Sequence, residues 1–275
     1  MRHTTTSLFR RMAAFTLAVL LAIPTVYAAA GEQKLQTSAT IVDGLTYHNS
    51  VTVNQDRRIE SSSLELESDS EVQPILLQGS GTIYGAASIN RVVSNAQEQG
   101  YHVLGAINTD FFSTSTGMPL GIVIEDGVYK SSGGAENAML ITDGVVSLSG
   151  KPQVEMSLLN ETTGITVLPQ YFNKVRDDIG GIYLLNHDFS TVSTRTSSSG
   201  WYVRMKVVPD ERTGEIPELT VNSTLTLEVT ELLRSDQPTT IAEDEYILTA
   251  ADLSYREDAF LAFQVGDQVT SMAQF

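Results

Sequence analysis

Apolar and polar positions change period several times along the chain, and each change predicts an element. Residues 31–50 are polar with short apolar pieces and lead in as an extended segment. From Val51 the alternation of Val51 with Val53, and later of Leu64 with Leu66, is that of edge or half-exposed strands. Residues 75–77 form a short apolar patch between Pro74 and Gly79 that predicts a short strand. The period then lengthens: Ile89, Val92, Val93 and Ala96 recur at helical spacing, Ser88 stands at the N-cap position, and Gly100 falls where a left-handed glycine ends a helix. This predicts a helix over residues 88–100 whose Ile89/Val92/Val93 face packs on a sheet.

Residues 103–112 read as a strand, so a period of two places Asn108 and Asp110 on one face, with Ile107, Thr109 and Phe111 on the other. A loop over 113–119 follows. Asp126-Gly127 and Asp143-Gly144 then each sit between short apolar runs, the signal of a two-residue hairpin. Two hairpins in tandem predict a meandering antiparallel sheet, continued by strands over 154–159, 164–168, 182–185, 201–208, 219–233, 246–250, 259–263 and from Val269 onward. The fold class expected is α+β, an antiparallel-rich mixed sheet with one main helix packed on it. The chain stops within strand-like sequence, which implies an unpaired terminal strand.

Composition narrows the setting. With 275 residues, 41% of them hydrophobic, the chain can bury a sizeable core. Arg2, Arg10 and Arg11 precede an apolar run over 12–26 and a small-residue cleavage site, so residues 1–28 read as a signal peptide; the run is short for a spanning helix and Pro24 interrupts it. Export to a bacterial extracytoplasmic location, secreted or at the cell surface, follows, with no stable membrane insertion after cleavage. The remaining organisation is a strand-rich lead-in over 29–87 and a main domain over 88–275.

Cleavage after Ala28 lowers Lys plus Arg from 17 to 14 against 33 acids and moves the formal charge from −16 to −19. So acidic a chain lacks the basic footprint that nucleic acid requires. Any anionic ligand would need a locally basic contact or backbone amides. Cysteine is absent, which excludes thiol chemistry and disulfides, and four histidines without thiols leave no zinc pattern. No calcium loop is present either, and no metal or cofactor is expected.

The candidate chemistry begins at Asp110, with Asn108 beside it at a strand end that faces a loop, where a rigid scaffold commonly presents binding groups. Both could instead cap the loop over 113–116 through bonds to its backbone. Lys174 and Arg176, in the segment NKVR, are basic groups in a base-poor chain; they read either as a charged surface loop or as a phosphate contact, the arginine through its bidentate fork. Arg195 lies at the centre of a hydroxyl-rich loop. Trp201, the only tryptophan, reads as core or as a platform for a sugar ring. The sequons at Asn160 and Asn222 are discounted in a bacterial protein.

The run AINTDFF over 106–112, followed by TGMPLGIVIEDGVYKSS over 116–132, resembles the phosphodiester glycosidase family, related to the enzyme that uncovers mannose 6-phosphate by removing N-acetylglucosamine. The likeness continues through 138–151, NKVR at 173–176, residues 194–200, and LAFQVGDQV at 261–269. It implies a glycosidase-like protein that cleaves or binds sugar-phosphodiester linkages of surface or extracellular glycans such as exopolysaccharide. Asp110 and Asn108 would be catalytic, and Lys174, Arg176, Arg195 and Thr116 would bind substrate.

Most glycosidases use two carboxyl groups across an oxocarbenium-like transition state, but a phosphate leaves readily as an anion, so one carboxylate with phosphate-binding groups can suffice. Asp110 is that carboxylate, and Asn108 would bond sugar hydroxyls. Members of the family carry a second block, of the form LDGGGSS, that this sequence does not contain, so the resemblance covers the front part of such a domain. The alternatives are a non-catalytic glycan-binding surface module and an inactive fragment of a larger enzyme.

Overall fold

The computed structural model describes residues 31–54, 57–134, 136–176, 180–253, 255 and 257–275. The signal-peptide reading of residues 1–28 lies outside them. Two compact units divide between Pro74 and Ile75, earlier in the chain than the expected boundary after residue 87.

In the first unit β1 (Glu32–Val42), β2 (Leu45–Asn54) and β3 (Arg57–Leu66) form an antiparallel meander in that order. Asp43-Gly44 turns β1 into β2, with Gly44 at φ 75°. Of the strand residues only Leu45 and Val51 are buried.

The second unit is mostly sheet. Its elements are α1 (Ile89–Glu98), β4 (Val123–Glu125), β5 (Val128–Ser131), β6 (Asn137–Thr142), β7 (Val145–Gly150), β8 (Glu155–Asn160), β9 (Thr166–Val167), β10 (Tyr171–Phe172), β11 (Ile182–Asn186), β12 (Gly200–Val207), β13 (Ser223–Ser235), β14 (Glu245–Ala251), α2 (Glu257–Leu261) and β15 (Gln268–Gln274). Eight strands form one sheet in the order β10-β11-β14-β12-β13-β15-β8-β9, antiparallel except for the β10–β11 pair.

Burial explains the sequence patterns. β13 alternates from Leu225 to Val229 because one of its faces is packed and the other is not. β11 and β14 are buried along their whole length, and they read as mainly apolar without alternation, Asn186, Glu245 and Thr249 excepted, because both faces are covered. One face carries the main core, including Leu184, Trp201, Val203, Leu227, Leu248 and Phe260. On the other, Leu185 joins Ile83, Met118, Val123 and Phe189 in a smaller cluster that ties the 110–123 segment to the sheet.

Several expectations hold. Asp126 and Gly127 take φ 49° and 80°, and Asp143 and Gly144 take 51° and 76°, so both Asp-Gly pairs form hairpin turns with two left-handed residues. The Ser88 hydroxyl caps α1 by accepting from the Arg91 amide, and Gly100 ends it at φ 95°.

Others are overturned. The two hairpins form separate two-stranded sheets and do not continue the large one. Residues 75–77 are irregular. Of α1 only Ala96 is buried, Ile89 is 46% exposed, and the helix has no extensive contact with any strand. The helix that does pack on the sheet is α2, formed where a strand over 259–263 was expected; its Phe260 is fully buried against Trp201 at 6.4 Å between rings. That burial supplies about 1.5–3 kcal/mol, which a five-residue helix needs because it cannot stand alone. The terminal strand β15 is not an unpaired edge, since β13 and β8 flank it on both sides.

Among the described residues no helix is long and apolar enough to cross a membrane, and no cluster of three or more metal-ligating side chains occurs.

Candidate functional site

The segment expected to be a strand over 103–112 forms no ladder; its regular pairing is a single bridge between Phe112 and Pro119. The shared face of Asn108 and Asp110 rested on strand periodicity, so that argument does not survive. Asn108 is exposed on an irregular stretch. Asp110 sits at the foot of a closed loop instead.

The loop is built locally. The Ser113 amide donates to the Met118 carbonyl at 2.8 Å, the Gly117 amide to Ser113 at 2.7 Å, and the Leu120 amide to Phe111 at 2.8 Å. Gly117 must be glycine: its φ is 73°, and a Cβ there would lie 2.2 Å from the Gly85 carbonyl carbon. Below the loop, the two carboxylate oxygens of Asp110 each accept a backbone amide, Oδ1 from Phe111 at 2.7 Å and Oδ2 from Gly121 at 2.8 Å. Asp110 does cap its loop, then, but at residues 111 and 121 and not at 113–116.

Lys174 enters this loop from the end of β10, and its Nζ donates to the Pro119 carbonyl at 2.6 Å. Burial pulls the amine down from its ordinary 10.5 to about 8, and the nearby Asp110 charge opposes that shift without cancelling it. The two groups are within electrostatic reach yet form no ion pair among the described contacts. Each keeps unused capacity: two further N–H donors on Lys174, and a second lone pair on each Asp110 oxygen. Beside them Phe111 is 84% exposed and Leu120 55% exposed, an apolar rim next to a polar pair. Cation, carboxylate and exposed aromatic ring in one place suit a ligand with an anionic group and a sugar-like face.

Of the other residues read from the sequence, Thr116 lies in this loop, whereas Arg176 and Arg195 are not gathered there. Thr116 is a loop residue whose carbonyl accepts the Gly85 amide at 2.8 Å and whose hydroxyl accepts the Met118 amide at 3.4 Å. Arg195, at φ 54°, lies with its guanidinium 4.6 Å from the ring centre of Tyr84, so it adjoins the loop only through Tyr84 and Gly85. Arg176 is 5% exposed; Nη1 donates to Thr249 Oγ1 at 3.0 Å and to the Ala250 carbonyl at 3.1 Å, and Nη2 donates to the carbonyl and hydroxyl of Ser198. The fork expected to grip a phosphate is committed to joining β14 to the loop before β12. Trp201 is core, 8% exposed between Phe260 and Arg234. Asn160, the first sequon, is fully buried and donates to Asp267 at 2.7 Å.

Sequence reading missed Gly121, the Pro119 carbonyl and Phe111, which complete the surroundings of Asp110. The spacing in TGMPLG held a usable signal, because a glycine two residues after a proline leaves room for a side chain to approach the backbone. A Cβ on Gly121 would lie 2.7 Å from Asp110 Oδ2. Lys130 is half-buried too, but it is spent on an ion pair: its Nζ donates to both oxygens of Asp188 at 3.2 Å and to Glu218 at 3.3 Å.

No protein-family model matches the chain, and no curated protein matches it. A solved structure, described as the crystal structure of a hypothetical protein from Synechocystis, is similar in fold: the TM-score is 0.61 at 15% identity over 87% of this chain. The match covers 41% of that protein, so the chain spans less than half the length of its structural neighbour. At this identity the likeness is one of fold alone.

Proposed function

We propose that the Asp110–Lys174 loop is a site for a sugar phosphodiester, in an exported protein that cleaves or binds such linkages in extracellular glycans. The observation that carries this reading is the convergence of a desolvated lysine with a carboxylate that is 64 positions away in sequence, without an ion pair between them. In a chain of net charge −16, an anionic ligand needs such a local cation. Lys174 would hold the phosphate, and its charged form would be favoured by the incoming anion. Asp110 would stand by the anomeric carbon, and Phe111 would pack on the sugar. The helix component of the α+β description is here the short α2, with α1 at the margin of the site's own segment.

Binding without turnover is the second reading, and a specific observation favours it: both Asp110 oxygens already hold backbone amides, as in a structural cap. Asp110→Asn and Lys174→Met separate the two. With a methyl phosphodiester of a sugar 1-phosphate as probe, an enzyme loses roughly 10²-fold or more in turnover with either variant. A binding module shows no turnover, and its saturable binding disappears in Lys174→Met. Binding and turnover that survive both substitutions would remove the site from consideration.

A further inference from the structure

We propose that Asn173 is the positioning residue that aims Lys174 at the Asp110 loop, by holding a left-handed turn at the end of β10. This rests on the reading of Lys174 as the cation of the site.

β10 is parallel to β11, with Tyr171 opposite Tyr183 and Phe172 opposite Leu184. Were the ladder to continue, residue 174 would fall beside Asn186 within the sheet and its side chain would be spent on a sheet face. It does not continue, because Asn173 takes φ 51° and turns the chain out. Glycine alone would meet that backbone demand, and asparagine meets it at little cost. What asparagine adds is a side chain with three bonds. Its Nδ2 donates to the Lys130 carbonyl at 2.8 Å and to Asn186 Oδ1 at 2.7 Å, and its Oδ1 accepts the Asn186 amide at 3.0 Å.

The Asn173 amide also donates to the Leu184 carbonyl at 3.0 Å, and the residue is wholly buried. The network runs on from Asn186 Nδ2 to Asp188 at 3.2 Å and to the Tyr246 hydroxyl at 3.4 Å. One side chain thus bolts β5, β10 and β11 together at the residue before Lys174. Beyond the turn, Val175 packs in the smaller apolar cluster and Arg176 clamps β14, so Lys174 is held from both sides. A lysine is otherwise flexible, and its reach to the Pro119 carbonyl depends on this anchored start.

A buried asparagine is expected to support stability, so the test reads Lys174 itself. In the full chain carrying ¹³C-labelled lysine, the Lys174 signal, assigned with Lys174→Met, is titrated in wild type, in Asn173→Gly and in Asn186→Ser. Asn173→Gly keeps the left-handed turn but loses all three side-chain bonds, and Asn186→Ser removes the one to the Asn186 side chain without altering residue 173. Asn222→Gly, at another left-handed asparagine with φ 60°, is the control. The expected wild-type midpoint is about 8. Both network variants are expected to raise it by about one pH unit or more as the amine swings into water, and the control is expected to leave it in place.

An unmoved midpoint in the network variants, or an equal shift in the control, overturns the role of Asn173. An ordinary midpoint in wild type instead overturns the reading of Lys174, which keeps the two failures apart. Should Asn173→Gly fail to fold, Asn186→Ser decides the question by the same criterion.

Discussion

At the scale of single residues, the site is shaped as much by what is missing at Gly121 and Gly133 as by Asp110 and Lys174. A Cβ at Gly121 would press on Asp110 Oδ2 at 2.7 Å, and a carboxylate can swing away, so Gly121→Ala is expected to cost about 1–3 kcal/mol and to weaken ligand binding. A Cβ at Gly133 would meet the Gly121 carbonyl carbon at 2.2 Å, backbone against backbone, so Gly133→Ala should cost more. Gly127 has open space around it and only a φ of 80° to satisfy, which sets Gly127→Ala near 1 kcal/mol. Urea denaturation of the three variants checks the order.

Lys174 also predicts a pH dependence. Its folded pKa, about 8, is below the ordinary 10.5, so between those values the unfolded chain binds the extra proton and stability rises with pH. Folding pays for the charged amine below about pH 8, and Lys174→Met is expected to flatten the rise from about 8 to 10 in the stability of the protein. The buried Tyr246 phenol, raised to about 12 by burial, works the other way and only above about pH 10.

At the scale of elements, rigidity is uneven. β11 and β14 are buried along their length, whereas in the β6–β7 hairpin Leu148 is 81% exposed and Met139 52% exposed. A two-stranded hairpin without a covered face is marginal, and so is a ten-residue helix such as α1 with one buried residue. Hydrogen exchange should therefore find the amides of β6, β7, α1 and 103–109 exchanging well before those of β12 and β14. Equal protection across these elements would contradict the exposure of the hairpin. The site loop lies between the extremes, since Met118 is pinned in the smaller cluster while Phe111 is in solvent.

For the whole molecule, the two compact units predict two transitions. The first has only Leu45 and Val51 buried in its strands, the second a continuous core along the eight-stranded sheet. Calorimetry is expected to show the first unit melting separately and at lower temperature; a single cooperative transition would mean that the two fold as one. Circular dichroism is expected to be dominated by strand.

What was legible in the sequence was what neighbours in the chain decide. An Asp-Gly pair between apolar runs is a hairpin wherever it occurs, because both residues tolerate positive φ; the same signal at Asp43-Gly44 was there to be read. The cap at Ser88 and the apolar run over 182–185 of β11 belong to this class. What needed the tertiary structure was every pairing of distant segments. Residues 103–112 have strand composition, yet a strand is made by a partner, and β-forming residues without one stay irregular. Residues 257–261 became helical, where a strand over 259–263 was expected, because Phe260 had a place against Trp201.

The same divide runs through the candidate site. Asp110 could be suspected from its setting, but whether Lys174, Arg176 or Arg195 would stand near it was open, since all three are bases in loops. The left-handed turn at Asn173 and the buried clamp of Arg176 decided it, sending one cation to Pro119 and the other into the sheet. Local sequence sets backbone preference over a few residues, whereas the direction of a long side chain depends on what is packed against it from elsewhere in the chain.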